Sequence, residues 1–241
     1  MNENLLRKHL DRFLADSKKN PKKFSTDWKE RSGMIEYYRS FDRDKMLSMT
    51  EEDIYQYLSK LWAMLIWGNK HYVVDKIIQN NGLDNFRTHL ADLVWGENAI
   101  TIRWDSFRKH IKGMGPAMMS EILCKTHPAD FVLWNRRAYI GLNYLEVKNL
   151  PRYDYQLTGK AYKHLCDVAK KISVELRNIG FQDITLLAVD YFIWDQLQIL
   201  NSLSKAYDSR LTPEKIRNDL ESPEQSKFIH DDIRDKLSDI E

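Results

Sequence analysis

The residues best suited to chemistry lie in "HIKGMGPAMMSEILC", His110 to Cys124, and in "FVLWNRR", Phe131 to Arg137. The first stretch sets Gly113 and Gly115 around Met114, and Pro116 opens an apolar, helix-like run. A helix start leaves backbone N–H groups without intrahelical partners and carries the positive end of the helix dipole. Glycines just ahead of it remove the Cβ atoms that would keep a phosphate away from that backbone. Gly113, Met114 and Gly115 are therefore expected to form a phosphate clamp with Lys112; the plain alternative is a glycine-capped corner between packed helices. Lys109, Lys125, Arg136 and Arg137 bracket the corner, with Arg103 a turn or two before it. Such cations give salt-dependent, sequence-independent affinity for a nucleic-acid backbone, although each alone also suits a solvated surface. Trp134 and Asn135 form the expected base pocket, with Trp134 either stacking on an extruded base or packing its loop from inside.

Other chemistries find little support. The two cysteines, Cys124 and Cys166, sit in apolar runs and are expected to be buried free thiols. The seven histidines show no ligand spacing, so no metal and no cofactor are expected. Lys plus Arg (37) nearly balance Asp plus Glu (35), so a nucleic-acid surface has to be a local patch. The charged start "MNENLLRKHLDRFL" has no apolar leader-like region, and no run reaches the roughly 20 apolar residues of a membrane span. A cytoplasmic protein without a membrane partner is the expectation.

The elements that would hold these residues are helical throughout. Leu6, Leu10, Phe13 and Leu14 make one stripe, interrupted by "KKNPKK", which is either a solvated turn or a phosphate contact. A short aromatic segment spans Met34 to Phe41. Thr50 to Asp53 reads as a capping box for a helix burying Ile54, Tyr57, Leu58, Leu61, Trp62 and Leu65. Further helices are expected up to Asn81-Gly82, over Leu83 to Trp95, and over 102–111 and 116–126 on either side of the corner. Tyr162 to Ile179 forms the clearest amphipathic helix, and "ITLLAVDYFIWDQLQIL" reads as a buried helix by its 3–4 spacing. The Trp62–Trp67 and Phe192–Trp194 aromatics are expected in the core. The chain thus divides into an all-α domain over 1–200 and a polar helical tail over 201–241, where Thr212 and Pro213 start a further helix. The acidic end of that tail suits docking to a protein partner.

The corner resembles the hairpin of the helix-hairpin-helix DNA glycosylases, the endonuclease III-like superfamily, which reads "LPGVG" followed by a "TAxxIL" helix. The likeness covers about residues 101–145, with a looser helical similarity from about 50 to 200. It implies a multi-helix orthogonal bundle and a DNA partner gripped through its phosphates. Active members of the family carry a catalytic Asp after the second hairpin helix; without a gap, that position falls on Asn135, twenty-two residues past Gly113. A carboxylate there stabilises the positive sugar or activates the nucleophile, and a neutral amide does neither well. The Schiff-base lysine position of bifunctional members is Ala117 here, and the cluster-binding cysteines are missing. Asp130 is a weak substitute acid, because "HPAD" reads as a turn; Asp190 and Asp195 would need the tertiary fold to bring them close.

The resemblance therefore implies sequence-nonspecific or modified-base DNA binding without base excision, in DNA repair or defence. "YQLTGKAYKHL" and "LLAVDYFIWD" add a similarity to bacterial chains linked to modification-dependent restriction. Two alternatives stand beside this reading. One is an active DNA glycosylase with a rearranged acid; the other is a helical interaction protein that binds no DNA.

Overall fold

The computed structural model describes residues 1–182 and 184–198. The expected tail over 201–241, its Thr212–Pro213 helix and its acidic docking element lie outside the described residues. Within them the chain is an all-helical, multi-helix bundle without strands, around a main core running from Leu5 to Leu197 and a small second cluster of Cys124, Leu133 and Leu187. No helix among the described residues is long and apolar enough to cross a membrane.

Helix α1 (Glu3–Lys19) starts at Asn2, whose side chain accepts the Leu5 N–H, and buries Leu6, Leu10 and Phe13 as their spacing predicts. "KKNPKK" is a turn at Asn20, with Pro21 in the first position of α2 (Pro21–Arg39). α2 runs far beyond the expected Met34–Phe41 segment. Its first half has no apolar period, and tertiary partners hold it instead: Phe24 joins Phe13, Phe181 and Tyr191 in an aromatic cluster, and Arg31 pairs with Asp190.

After the short α3 (Arg43–Leu47), Thr50 opens α4 (Glu51–Ser59) with the expected capping box. α4 stops six residues short of Leu65, which is 60 % exposed, and Trp67 is 49 % exposed rather than in the core. The cause is a distant carboxylate. Glu121 accepts the N–H groups of Trp62 (2.6 Å) and Ala63 (2.9 Å), and a fresh 3-10 turn, Trp62–Met64, begins there instead of another α-helical turn.

Helices α5 (Lys70–Asn81), α6 (Leu83–Trp95), α7 (Ile100–His110) and α8 (Pro116–Thr126) follow the expected boundaries closely. Then come α9 (Arg136–Tyr144), α10 (Gly159–Asn178) and α11 (Leu186–Gln196). α2 lies against α8, α7 packs between α6 and α10, and α11 lies against α9, α10 and α1. The α7–α10 joint is aromatic: the rings of Trp104 and Tyr162 stack at 4.0 Å, and Tyr162 donates its hydroxyl to the Val132 carbonyl. Cys124 and Cys166 are buried free thiols, and burial pushes Cys166 up to about 11.

One buried titratable group gives the fold a pH dependence. His9 is 4 % exposed, with one ring nitrogen 2.8 Å from the Tyr144 hydroxyl and Nδ1 without a partner among the described residues. Burial first, then Arg12 and Lys8, lowers its pKa from 6.5 to about 4. Between those values the unfolded chain binds a proton that the folded chain refuses. Stability contributed by neutral His9 is therefore full above pH 6.5, is lost as the pH falls through that window, and changes no further below about pH 4. The loss amounts to about 3 kcal/mol. Burial lowers His127 and His89 as well, in the same sense. The comparison that isolates His9 is urea unfolding of wild type and His9→Gln at pH 7 and pH 4.5; equal pH slopes for the two proteins would contradict the assignment.

Candidate anion-binding corner

The corner is built from the end of α7 outward. Ile111 closes α7 through its N–H to the Phe107 carbonyl and is buried. The side chain of Asn81, at the end of α5, then grips the next peptide in both directions. Its Oδ1 accepts the Lys112 N–H at 2.8 Å, and its Nδ2 donates to the Lys112 carbonyl at 2.8 Å and to the Ile77 carbonyl at 2.6 Å. The asparagine that stops α5 therefore also fixes the corner.

Gly113 follows at φ +91°, where side-chain-bearing residues are strained, and a Cβ there would stand 3.1 Å from Ile77 Cγ1. Valine at Gly113 is consequently a lesion of the fold as well as a block to any ligand, and does not isolate ligand approach. Met114 is buried and anchors the corner from below rather than lining it. Gly115 is the N-cap of α8 and has no side chain to accept the first N–H groups; Pro116 is the first helical residue. The N–H groups of Ala117 and Met118 have no partner within the helix by its geometry. Among the glycines Gly113 is exposed and Gly115 partly so, which leaves this helix start open on one side.

The cations divide sharply. Lys109 and Lys112 are exposed on the rim. Lys125, expected among the phosphate contacts, is fully buried: its Nζ lies 2.5 Å from Glu121 Oε1 and 4.1 Å from the Trp62 ring centroid. A lysine in the last turn of α8 reads as a surface charge in a sequence, and only Glu121 one turn earlier hints at a pair. Arg137 is half-buried, and burial lowers its pKa, with the Asp190 carboxylate raising it and Arg31 lowering it. Arg136 is half-buried at the start of α9. Arg103 donates to the carbonyls of Leu93 and Val94 and so closes the end of α6.

An acid also stands at the mouth. A Cβ on Gly115 would meet Asp154 Oδ2 at 3.9 Å, from a 3-10 turn, Asp154–Gln156, in the α9–α10 loop. Arg108 secures that loop by donating to the carbonyls of Asp154 (2.6 Å) and Leu157 (2.7 Å). No sequence signal linked residue 154 to the corner, because forty residues and two helices separate them.

The second expected site has a structural occupation. Asn135 is the N-cap of α9: its Oδ1 accepts the Ala138 N–H at 2.9 Å. The amide therefore does what N-cap asparagines do, satisfying a helix-start donor. Trp134, expected to stack on a base, is only 6 % exposed, and its ring meets Tyr139 edge-on. Its backbone N–H donates to Ser120 Oγ on α8 at 2.8 Å, so the corner helix and the α9 cap are held as one piece.

The candidate acids are engaged elsewhere. Asp130 is exposed and pairs with Lys170 at 3.0 Å. Asp195 faces Lys23 at 3.7 Å. Asp190 is buried, 2.6 Å from Arg31, whose guanidinium lies about 5 Å from the rings of Trp62, Tyr191 and Trp194. Burial pushes the Asp190 carboxyl up more than Arg31 and Arg137 pull it down. The corner thus offers an anion backbone N–H groups and rim lysines, opposed by the Asp154 carboxylate at the same mouth, and none of Asp130, Asp190 and Asp195 is a free carboxylate beside Asn135.

Comparison with protein-family models, with curated proteins and with solved structures finds no match.

Proposed function

We propose that this chain binds DNA through its phosphate backbone, without regard to sequence or at a modified base, and does not excise bases. The observation that carries this reading is the α7–α8 corner: an uncapped helix start behind Gly113 and Gly115, with Lys109 and Lys112 on its rim. It rests on the same residues as the resemblance to the helix-hairpin-helix glycosylases. The capping role of Asn135 and the prior commitments of Asp130, Asp190 and Asp195 favour binding over base excision.

Fluorescence anisotropy with a labelled duplex, titrated across salt concentrations, tests the binding. The logarithm of affinity falls linearly with the logarithm of salt, and Lys112→Ala flattens the slope by about one unit. Absence of binding at low salt sinks the proposal. Duplexes containing uracil, 8-oxoguanine, alkylated or methylated bases test the second half. No abasic sites are expected from wild type; protein-dependent sites that disappear in Lys112→Ala would establish a glycosylase with a rearranged acid. Asn135→Asp, run beside wild type, asks whether an acid at the cap is enough to restore the chemistry.

A further inference from the structure

The loop between α9 and α10 carries an unusual feature for a braced segment. Its backbone is fastened to α7 through Arg108 and through Trp104, whose indole N–H donates to the Leu157 carbonyl at 2.8 Å. Gln156 Oε1 accepts the N–H groups of Arg152 and Tyr153, tightening the turn from within. Yet two large side chains of this secured loop face solvent: Tyr153 is 48 % and Tyr155 is 73 % exposed. Their rings are almost parallel, 8° apart with centroids 5.6 Å apart, and the Arg152 guanidinium lies 5.4 Å from the Tyr153 centroid. Asp154, between the two tyrosines, is the residue whose carboxylate reaches the Gly115 mouth.

Tyr72, at 58 % exposed, also faces solvent, but without a second parallel tyrosine ring beside it, and four other tyrosines are turned inward. Tyr38, Tyr57, Tyr144 and Tyr162 are fully buried, and Tyr38 and Tyr162 donate their hydroxyls to backbone carbonyls. An ordered, parallel, solvent-facing pair with a guanidinium against it offers flat π-surface and positive charge together. That combination fits a nucleobase, because every base has a π-face and its own backbone phosphate nearby. An apolar peptide would use the rings but not the cations. A paired duplex would use the cations but hide its base faces.

We infer that Tyr153 and Tyr155 form a stacking platform for unpaired nucleobases, so that the chain prefers single-stranded DNA to the matched duplex. This inference rests on the nucleic-acid reading above and adds the class of strand.

The test compares a labelled single-stranded oligonucleotide with its matched duplex, for wild type, Tyr153→Ala/Tyr155→Ala, the conservative Tyr153→Phe/Tyr155→Phe, and Lys112→Ala. Both tyrosines are surface residues of the loop, and superimposable circular-dichroism melts confirm that the variants are folded. Wild type binds the single strand more tightly than the duplex. The double alanine variant loses roughly tenfold or more in single-strand affinity while duplex affinity is unchanged, and the double phenylalanine variant keeps both. Single-strand affinity that survives the double alanine change, while Lys112→Ala still weakens binding, overturns the platform and leaves the phosphate corner standing. Equal losses on both strands overturn it as well. Failure of wild type to bind either oligonucleotide at low salt removes the nucleic-acid reading itself and the platform with it.

Discussion

Lys125→Ala lowers the free energy of unfolding by about 3–5 kcal/mol, the cost expected when one partner of a buried ion pair is removed. Lys125 is inaccessible, its ammonium is 2.5 Å from Glu121, and the rings of Trp62 and Tyr38 close over it. Alanine leaves Glu121 charged and buried, with only the Trp62 and Ala63 N–H groups to compensate it, and opens a void where three methylenes and the ammonium had packed. Because those N–H groups begin the 3-10 turn, the lesion is expected to loosen Trp62–Met64 as well. Urea unfolding measures the loss. Lys125→Met with Glu121→Gln, which removes both charges at similar volume, recovers most of it. A deficit below about 1 kcal/mol for Lys125→Ala would mean that the lysine reaches water. For the proposed DNA binding the same residue separates fold from function: the double variant Lys125→Met/Glu121→Gln leaves its salt dependence unchanged, whereas Lys112→Ala flattens it.

Gly159→Ala is the second large effect, about 3 kcal/mol or more, through overpacking of backbone against backbone. A Cβ at Gly159 would stand 2.1 Å from the Thr101 carbonyl oxygen and 2.6 Å from Thr101 Cα, so no side-chain rotation can make room. The Gly159 N–H also donates to Asp105 at 2.7 Å, tying the start of α10 to α7. Relieving the contact means moving α10 off the helix that leads into the corner. Gly33→Ala is the matched control. Gly33 lies in the exposed middle of α2 with nothing within 4 Å of its Cβ position, so alanine there stabilises by about 0.5–1 kcal/mol. Both changes restrict the unfolded chain alike, and their opposite signs in thermal or urea unfolding isolate the contact with Thr101. Similar values for the two would contradict the α7–α10 packing.

What the sequence determined by itself is local. The 3–4 apolar spacing of α1, α5, α6, α10 and α11, the Thr50 capping box, Pro116 at the first position of α8 and the Asn81-Gly82 stop all act within one or two turns. Their physics needs no distant partner. The glycine corner was legible for the same reason.

What only the tertiary structure decided depends on groups far apart in the chain. Glu121 ends the α4 run some sixty residues earlier, and Asp190 holds Arg31 in a part-buried pair; neither outcome is visible in the spacing around the residues affected. Lys125 and Trp134 changed from expected ligand contacts to interior residues because burial is set by what packs over a helix, not by residue type. Asn135 occupies the aligned acid position, yet the structure gives it a helix to cap. The mouth of the corner gained Asp154 through a loop fastened to α7, the loop that also carries the Tyr153–Tyr155 pair. A one-dimensional pattern carries no record of such closure, since the bonds from Arg108 and Trp104 that fasten the loop exist only once the helices have met.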